Sequence, residues 1–409
     1  MAAVEPKAAA SAMAATRWGM VAIVVAAGIA AATPLGKVPP VLPEILAEFD
    51  HDKIVGGWIA SVFHVAAAAI GILVGSAADA WGHRRTLAFG IVCIGGGSLA
   101  GAFADSAAML LITRFVEGIG FVTAVVGAPS LIAEACKSDA HRNIALGIWG
   151  AYFPIGWGLM ALSVPLFPAA ASWRVLWLFG AGIMAVMLIV IMVVVRPDPS
   201  GAARRRARAT PAEIRAAVML PGPWLLGLAF AMFTIQWVGL MTWLPTYFLE
   251  TAAFSRTWAA VATALIVMLE TVGNVTAGWL LAQGIARWRL IAIALGSMGI
   301  LSFLVLSTGL PGFAKIFFAG VFSAVGGMVP SAVLAAGPVH APAPHLIGTV
   351  NGVLVQGSNI GNLLGPPALA TAVVLLGGWT EAGWATLIAG GVGILVALAV
   401  RAVEREARR

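Results

Sequence analysis

Residues 75–87 read GSAADAWGHRRTL, and the reading of this stretch decides the fold. Long apolar runs border it on both sides. It holds one acid, Asp79, a turn-favouring Gly82, and a basic trio, His83, Arg84 and Arg85. A tight basic hairpin between two membrane-spanning runs belongs on the cytoplasmic side, where short loops accumulate Lys and Arg. The rest of the chain agrees that lipid is the solvent. Of its 409 residues, 61% are hydrophobic and 10% are charged, whereas a soluble globular domain is about 25% charged. The net charge of +7 is dispersed over many short loops, which fits membrane topology and excludes a concentrated nucleic-acid footprint. Two cysteines, Cys93 and Cys136, give neither a disulfide framework nor paired metal-ligand spacing. Cys93 lies in an apolar run and reads as a small buried hydrophobe.

Working outward, the apolar runs number twelve. Helix 1 is expected from Arg17 towards Leu46, interrupted by Lys37 and the prolines of VPPVLP. Helices 2 to 6 are expected at 54–78, 86–103, 107–135, 143–167 and 174–195. Helices 7 to 12 are expected at 223–249, 257–281, 290–307, 312–336, 347–376 and 381–403. Each is long enough to cross a hydrocarbon core of about 30 Å at about 1.5 Å per residue. The apolar stretch 18–32 ends in three alanines that could pass for a signal-peptidase site. The apolar character continues beyond it and the repeat below needs it as a helix, so it is read as retained. Residues 1–16 and 404–409 are read as cytoplasmic tails. Residues 196–222 form a basic cytoplasmic linker between an N-terminal bundle, 17–195, and a C-terminal bundle, 223–403. With both termini inside, eighteen bases fall inside and four outside, namely Lys53, Arg174, Arg256 and Lys315. That asymmetry fixes the orientation.

The halves also repeat. Leu42-Pro43 returns as Leu244-Pro245, Pro129-Ser130 as Pro330-Ser331, and Trp173 as Trp379. Gly147, Ile155 and Gly156 return as Gly352, Ile360 and Gly361, and the hairpin returns, decayed, as GWLLAQGIARWRL at 278–290. Offsets of 201–206 at five places point to two six-helix bundles, each containing inverted three-helix units.

These features resemble the major facilitator superfamily over residues 17–403. Gly75, Asp79, Gly82, Arg84 and Leu87 fall on the key positions of its loop pattern G-x-L-a-D-r-x-G-r-k-x-x-L, while Ala77, Ala80 and His83 depart from it. LLITRFVEGIG on helix 4 is similar to the family's l-x-x-x-R-x-x-q-G-x-g, with Arg114, Gly118 and Gly120 in register and Glu117 in place of an amide. GKVPPVLPEI, RFVEGIGF and GIWGAYFPIGWGLM look like the branch containing cyanate- and nitroimidazole-type transporters. The antiporter-type glycine–proline pattern of helix 5 is not present.

An ionisable side chain at bilayer depth costs about 2.5–3.5 kcal/mol on insertion scales, so each one is a functional candidate. Asp79 ends helix 2, where a carboxylate opposes the helix dipole and needs a partner. The resemblance implies a cytoplasmic latch, with Asp79 meeting Arg84, Arg85 and the N-terminus of helix 11, and Glu134 completing the cluster. Ala282 stands in the second copy, so the latch is one-sided. Arg114 and Glu117 share a face of helix 4. They read as an internal pair that locks the helix, or, as the resemblance implies for Arg114, as a bias on proton or anion coupling. Lys37 precedes a proline break of the kind tolerated where backbone lines a cavity. It either snorkels outward or faces that cavity and attracts an anion. His64 is a packing residue or a proton relay.

Glu270 and Asn274 share a face of helix 8, with Gln236 of helix 7 at similar depth. An unpaired carboxylate there suits proton coupling, the alternative being interhelical hydrogen bonding. Gln356 and Asn359 can share one face of helix 11, expected to line the pathway, with Trp149 and Tyr152 of helix 5 as aromatic candidates opposite. The chain has no Walker-type loop, no metal-ligand spacing and no nucleophile–base pair, so no cofactor is expected.

The expectation is therefore an all-α membrane protein of twelve transmembrane helices in two pseudo-symmetric bundles. It is a secondary active transporter rather than an enzyme. It moves a small, anionic solute by proton-coupled alternating access, as a monomer in the inner (plasma) membrane, with no nucleic-acid partner. The alternatives are an exporter of lipophilic cations, with Glu270 and Glu117 reading their charge, and a non-transporting sensor of the same fold.

Overall fold

The computed structural model of the chain describes residues 15–69, 74, 81–168, 171–195, 210–343 and 346–406. These are almost wholly helical, with no strand among them. Ten helices are long and apolar enough to cross a membrane, and a shorter apolar helix occupies Lys53–Ala69. With His83–Gly101 they stand where the twelve segments were expected. The hairpin itself is described only from residue 81 onward, so Asp79 lies outside the described residues.

Two boundaries agree with the sequence to the residue, Ala107–Ala135 for helix 4 and Ile347–Leu376 for helix 11. The reasons are local. The Ser106 side chain accepts from the Met109 amide at the start of helix 4, satisfying an orphan donor. Gly377 ends helix 11 in the left-handed region at φ 93°, a conformation glycine adopts without a Cβ penalty. Other spans are broken where one helix was expected. Helix 1 runs Trp18–Lys37, turns through Pro39–Val41 and resumes as Leu42–Phe49, because two adjacent prolines cannot donate to the helical ladder. Helix 2 tightens into a 3-10 turn at Val62–His64. Helix 5 divides into Asp139–Trp149 and Tyr152–Leu162, helix 8 into Arg256–Met268 and Glu270–Ala282, and helix 10 into Gly312–Gly326 and Met328–Leu334. The breaks in helices 8 and 10 touch: a Cβ at Gly327 would stand 2.0 Å from the Glu270 carbonyl oxygen.

The linker is described from residue 210. Its last part is a helix, Pro211–Val218, closed by a reciprocal capping box between Thr210 and Glu213. Removing a capping hydroxyl costs about 1 kcal/mol. Thr210→Ala should accordingly speed amide hydrogen exchange across 211–218 roughly fivefold, leaving the membrane helices unchanged.

Helices 1, 3, 4, 5 and 6 pack on one another, as do 7, 8, 9, 10, 11 and 12. Corresponding contacts recur in the two groups. A Cβ at Gly156 would stand 2.2 Å from the Ile29 carbonyl oxygen, and one at Gly361 2.5 Å from that of Ala231, so helix 5 meets helix 1, and helix 11 meets helix 7, backbone to backbone. Among the described residues, the non-glycine residues with positive φ are Asp50 and Ala253, at 52° and 53°. Each sits at the turn after the first helix of its half.

The groups are joined mainly on the face opposite the chain ends. There helix 2 packs on helix 11, the outer half of helix 5 on that of helix 8, and the Pro39–Val41 turn on helices 7 and 8. Two ion pairs cross the seam: Lys53–Glu250 at 3.0 Å and Arg256–Glu44 at 2.7 Å. Each half also ties an acid to the tryptophan opening its sixth helix, Trp173 Nε1 donating to Glu48 at 2.7 Å and Trp379 Nε1 to Glu250 at 2.8 Å. Arg174 pairs with Glu48 as well, at 2.7 Å, so Arg256 takes Glu44, one turn deeper. A cavity of about 550 Å³, lined by Lys53, Thr246, Glu250 and Trp379 among others, opens beside this seam. Towards the base-rich face, the inner halves of helices 5 and 8 make their principal contacts within their own groups among the described residues.

Candidate functional site

Lys37, Arg114 and Glu117 come together in the interior of the first group, each wholly buried. Glu117 Oε1 accepts from Lys37, and Oε2 from Arg114 Nη1 at 2.5 Å. Ser98 Oγ accepts from Lys37 at 2.7 Å and donates to Glu117 at 2.6 Å. Two cations share one carboxylate; dipoles and ring faces meet part of the surplus charge, while Arg114 Nη2 is buried without a partner. Arg114 donates to the carbonyls of Pro34 and Ile59 at 3.0 and 3.3 Å, both beside irregular backbone. Lys37 lies 4.5 Å from the Trp177 ring centre and Arg114 4.8 Å from that of Phe63, within the reach of cation–π attraction. Lys37 therefore neither snorkels nor stands free in a cavity, and its ion pair joins helix 1 to helix 4.

A second assembly lies at mid-depth between the groups, where helices 5 and 8 break opposite one another. Glu270 opens the inner half of helix 8 and is 6% exposed. Its side chain hydrogen-bonds Asn274, while Oε2 has no partner. Asn274 is anchored in turn, its Oδ1 accepting from Ser331 of helix 10 at 3.0 Å. Across the interface, Tyr152 opens the outer half of helix 5 and lies within electrostatic reach of Glu270. Its ring stacks on Trp149 at 4.5 Å and 22°, and Trp149 is pressed against Gly28 of helix 1. Phe121 and Phe153 border the stack at 6.4 and 6.3 Å. Above the break, Gly158 meets Met268 and Ala264 across the seam.

The remaining candidates are dispersed. Gln356 donates to the Ala68 carbonyl and Asn359 to that of Ala67 at 3.3 Å, so both amides tie helix 11 to helix 2. Gln236 donates to Met232 of its own helix at 3.3 Å and leaves Oε1 without a partner. His64 is buried on the 3-10 turn, edge-on to Phe63, with Nδ1 unpartnered. Of the hairpin cluster, Arg84 donates to the Met192 carbonyl at 2.7 Å, Arg85 is exposed, and the Glu134 backbone carbonyl accepts from Arg17 at 3.3 Å.

One base was misplaced by the sequence. Lys315, counted among the outer-loop bases, is buried on helix 10, donates to the Tyr247 hydroxyl at 2.5 Å and lies over the Tyr247 ring. It stands 201 residues after Arg114, the offset already evident in the Pro129 and Pro330 repeat, and that offset could have found it. Within two residues of it, the same spacing relates Glu48 to Glu250 and Lys53 to Arg256, the two bases having been counted among the outer-loop charges.

Two helical groups, sealed on one face and enclosing a polar site at mid-depth, define a multi-pass membrane transporter rather than an enzyme. The Major Facilitator Superfamily matches over residues 19–366, and the chain belongs to that family. Among similar proteins are the lincomycin resistance protein of Streptomyces lincolnensis, 26% identical over 46% of this chain and 38% of that one, and the cyanate transport protein of Escherichia coli, 25% identical over 57% and 61%. The chain thus spans about two fifths to three fifths of the length of these relatives. The cyanate transport protein agrees with the branch resemblance read from helices 1, 4 and 5. A bacterial homologue of the human lysosomal transporter Spinster, in an inward-facing and occupied conformation, superposes with a TM-score of 0.74 at 16% identity, covering 96% of this chain and 95% of that one. This likeness concerns the fold alone.

Proposed function

We propose that this secondary transporter is proton-coupled and carries a small organic solute through the site between helices 5 and 8, by rocking of the two helical groups. Glu270 carries the proton. The observation behind this reading is the unpartnered Glu270 oxygen at mid-depth, where helices 5 and 8 break. A buried carboxyl oxygen without a partner is costly unless protonation or a ligand satisfies it. Helix breaks at mid-depth are the usual construction of transporter sites. The base-rich face is the cytoplasmic one, in the inner membrane with both termini inside, which the distribution of Lys and Arg supports.

An anionic solute, the first expectation, relied on attraction by Lys37 and Arg114. Both are held by Glu117, so that reading now draws on the cyanate transport relative. The exporter reading draws on Glu270 and on the resistance relative. The test is proton movement in proteoliposomes holding a pH-sensitive dye. Addition of a carried solute should collapse an imposed pH gradient, and the imposed gradient should accumulate the solute. Solute flux that leaves the dye signal unchanged would remove proton coupling and keep transport.

A further inference from the structure

We propose that the surface where helix 9 begins and helix 12 ends holds the headgroup of an anionic phospholipid, with Arg289 and Arg401 binding its phosphate beside Trp288. The proposal does not depend on what the transporter carries.

The two helix ends are brought together by close packing. Helix 9 is Arg287–Leu306 and helix 12 is Trp379–Glu406. They run antiparallel and cross without side chains between them, a Cβ at Gly299 falling 2.8 Å from the Gly390 Cα. Trp288 and Arg401 stand equally far along their helices from that crossing, on the base-rich face, and the register sets them opposite one another. The Arg401 guanidinium lies 4.7 Å from the Trp288 ring centre and that of Arg289 5.6 Å from it. Both are within cation–π reach of one indole, which gathers two like charges at the membrane boundary.

No acid answers those charges. Among the described residues, neither Arg289 nor Arg401 has a carboxylate within ion-pair reach. Glu404, one turn beyond Arg401, is held by Arg287, with His340 at 3.5 Å. Arg401 Nε is buried without a partner. Arg405 follows Arg401 on the same face and is exposed, so it adds to the charge. Helix 9 opens with no side-chain cap and no acid in its first turn, and its positive end points the same way. This is the decayed second hairpin, in which Ala282 replaces the acid of the first. An anion from outside the chain is what the two arginines lack.

The neighbouring apolar residues say which anion. Ile293 lies one turn after Arg289 on the same face of helix 9, and Leu398 one turn before Arg401 on helix 12. Both are exposed. Each base thus ends a stripe that faces the acyl chains, at the depth where headgroups lie and where tryptophan is enriched. A soluble phosphate would engage the bases and leave the stripes unused, whereas a phospholipid engages both. A zwitterionic headgroup brings an amine, and Glu404 is already taken. An anionic headgroup such as phosphatidylglycerol brings phosphate charge and hydroxyls alone. Guanidinium forks match phosphate oxygens in pairs, and basic clusters between membrane helices on the cytoplasmic side bind such headgroups.

The test is native mass spectrometry of the purified, delipidated full chain in detergent, titrated with dioleoylphosphatidylglycerol. The tightest lipid should bind wild type in preference to dioleoylphosphatidylcholine by about tenfold or more. Arg289→Gln with Arg401→Gln should weaken it about 30-fold, and Trp288→Leu, which keeps both charges, about fivefold. Arg205→Gln with Arg206→Gln removes the same charge from the linker and should leave it within about twofold. Thermal unfolding without lipid checks each fold. Arg289 is exposed, so Arg289→Gln alone, expected to weaken binding about fivefold, carries the test if the double variant does not fold. Equal affinity for the two lipids, or unchanged binding in folded Arg289→Gln with Arg401→Gln, would overturn the proposal. Equal loss in the linker variant would overturn it in favour of diffuse attraction, and displacement of the lipid by equimolar glycerol 3-phosphate in favour of a soluble phosphate.

Discussion

Replacing Glu117 by alanine should unfold the first helical group more readily than any other single truncation of a polar side chain described above. The substitution leaves Lys37 and Arg114, both wholly buried, facing each other without the carboxylate that holds them. Removing one partner of a buried ion pair costs about 3–5 kcal/mol, or roughly 150- to 5,000-fold in the folded-to-unfolded ratio. Glu117→Gln keeps the volume and the Ser98 contact but not the charge, and should be nearly as damaging. Lys37→Met together with Glu117→Gln removes one charge of each sign and should recover part of the loss, because the desolvation cost falls with the attraction. The measurement is the midpoint of thermal unfolding in detergent. Equal midpoints for wild type and Glu117→Ala would mean that water or a neighbouring group satisfies the two cations, and the triad would lose its structural role.

The second large effect concerns the seam opposite the chain ends. Lys53→Glu with Arg256→Glu turns both cross-group attractions into repulsions. The pairs are partly exposed, Lys53 at 28% and Arg256 at 19% of side-chain area, so each contributes at most about 1 kcal/mol. Reversing both should disfavour the closed seam by about 2–3 kcal/mol in all, a shift of roughly 30- to 150-fold in the closed-to-open ratio. Thr246 lines the adjoining cavity yet is buried, so a Thr246→Cys background reports opening. Its labelling by a membrane-impermeant maleimide should quicken by that factor. Adding Glu250→Lys and Glu44→Lys to the reversed bases should restore slow labelling. If labelling is unchanged by the reversal, apolar packing of helices 2 and 11 alone holds the seam.

How much of this was legible depended on whether the cause was local. The bounds read for helices 4 and 11 match to the residue, and both ends have a local cause, Ser106 before the one and Gly377 after the other. The Arg114–Glu117 pair was legible from its spacing of three. Its third member was not, since Lys37 lies 80 residues away and only packing brings it there. Lys315 was assigned to a loop because it stands three residues into its helix, and only its contact with Tyr247 reveals it as buried. The break in helix 8 carries no proline, and it occurs where Gly327 of helix 10 meets the Glu270 carbonyl. That is a tertiary contact that no window of helix 8 contains. Gln356 and Asn359 were expected to line the pathway from one shared face, and they bond the carbonyls of helix 2; amides that bridge two helices and amides that line a path have the same sequence signature.

Arg256 reaches Glu44 rather than Glu48 because Arg174 already holds Glu48. One turn of helix is about 5.4 Å, so the two cross-group pairs stand at different depths below the same rim. Water arriving from the face opposite the chain ends meets Lys53 and Glu250 first and can hydrate them while the deeper pair is still shut. The seam would then part in stages, as a zip does, with the Lys53 side leading and the Arg256 side as its last tooth.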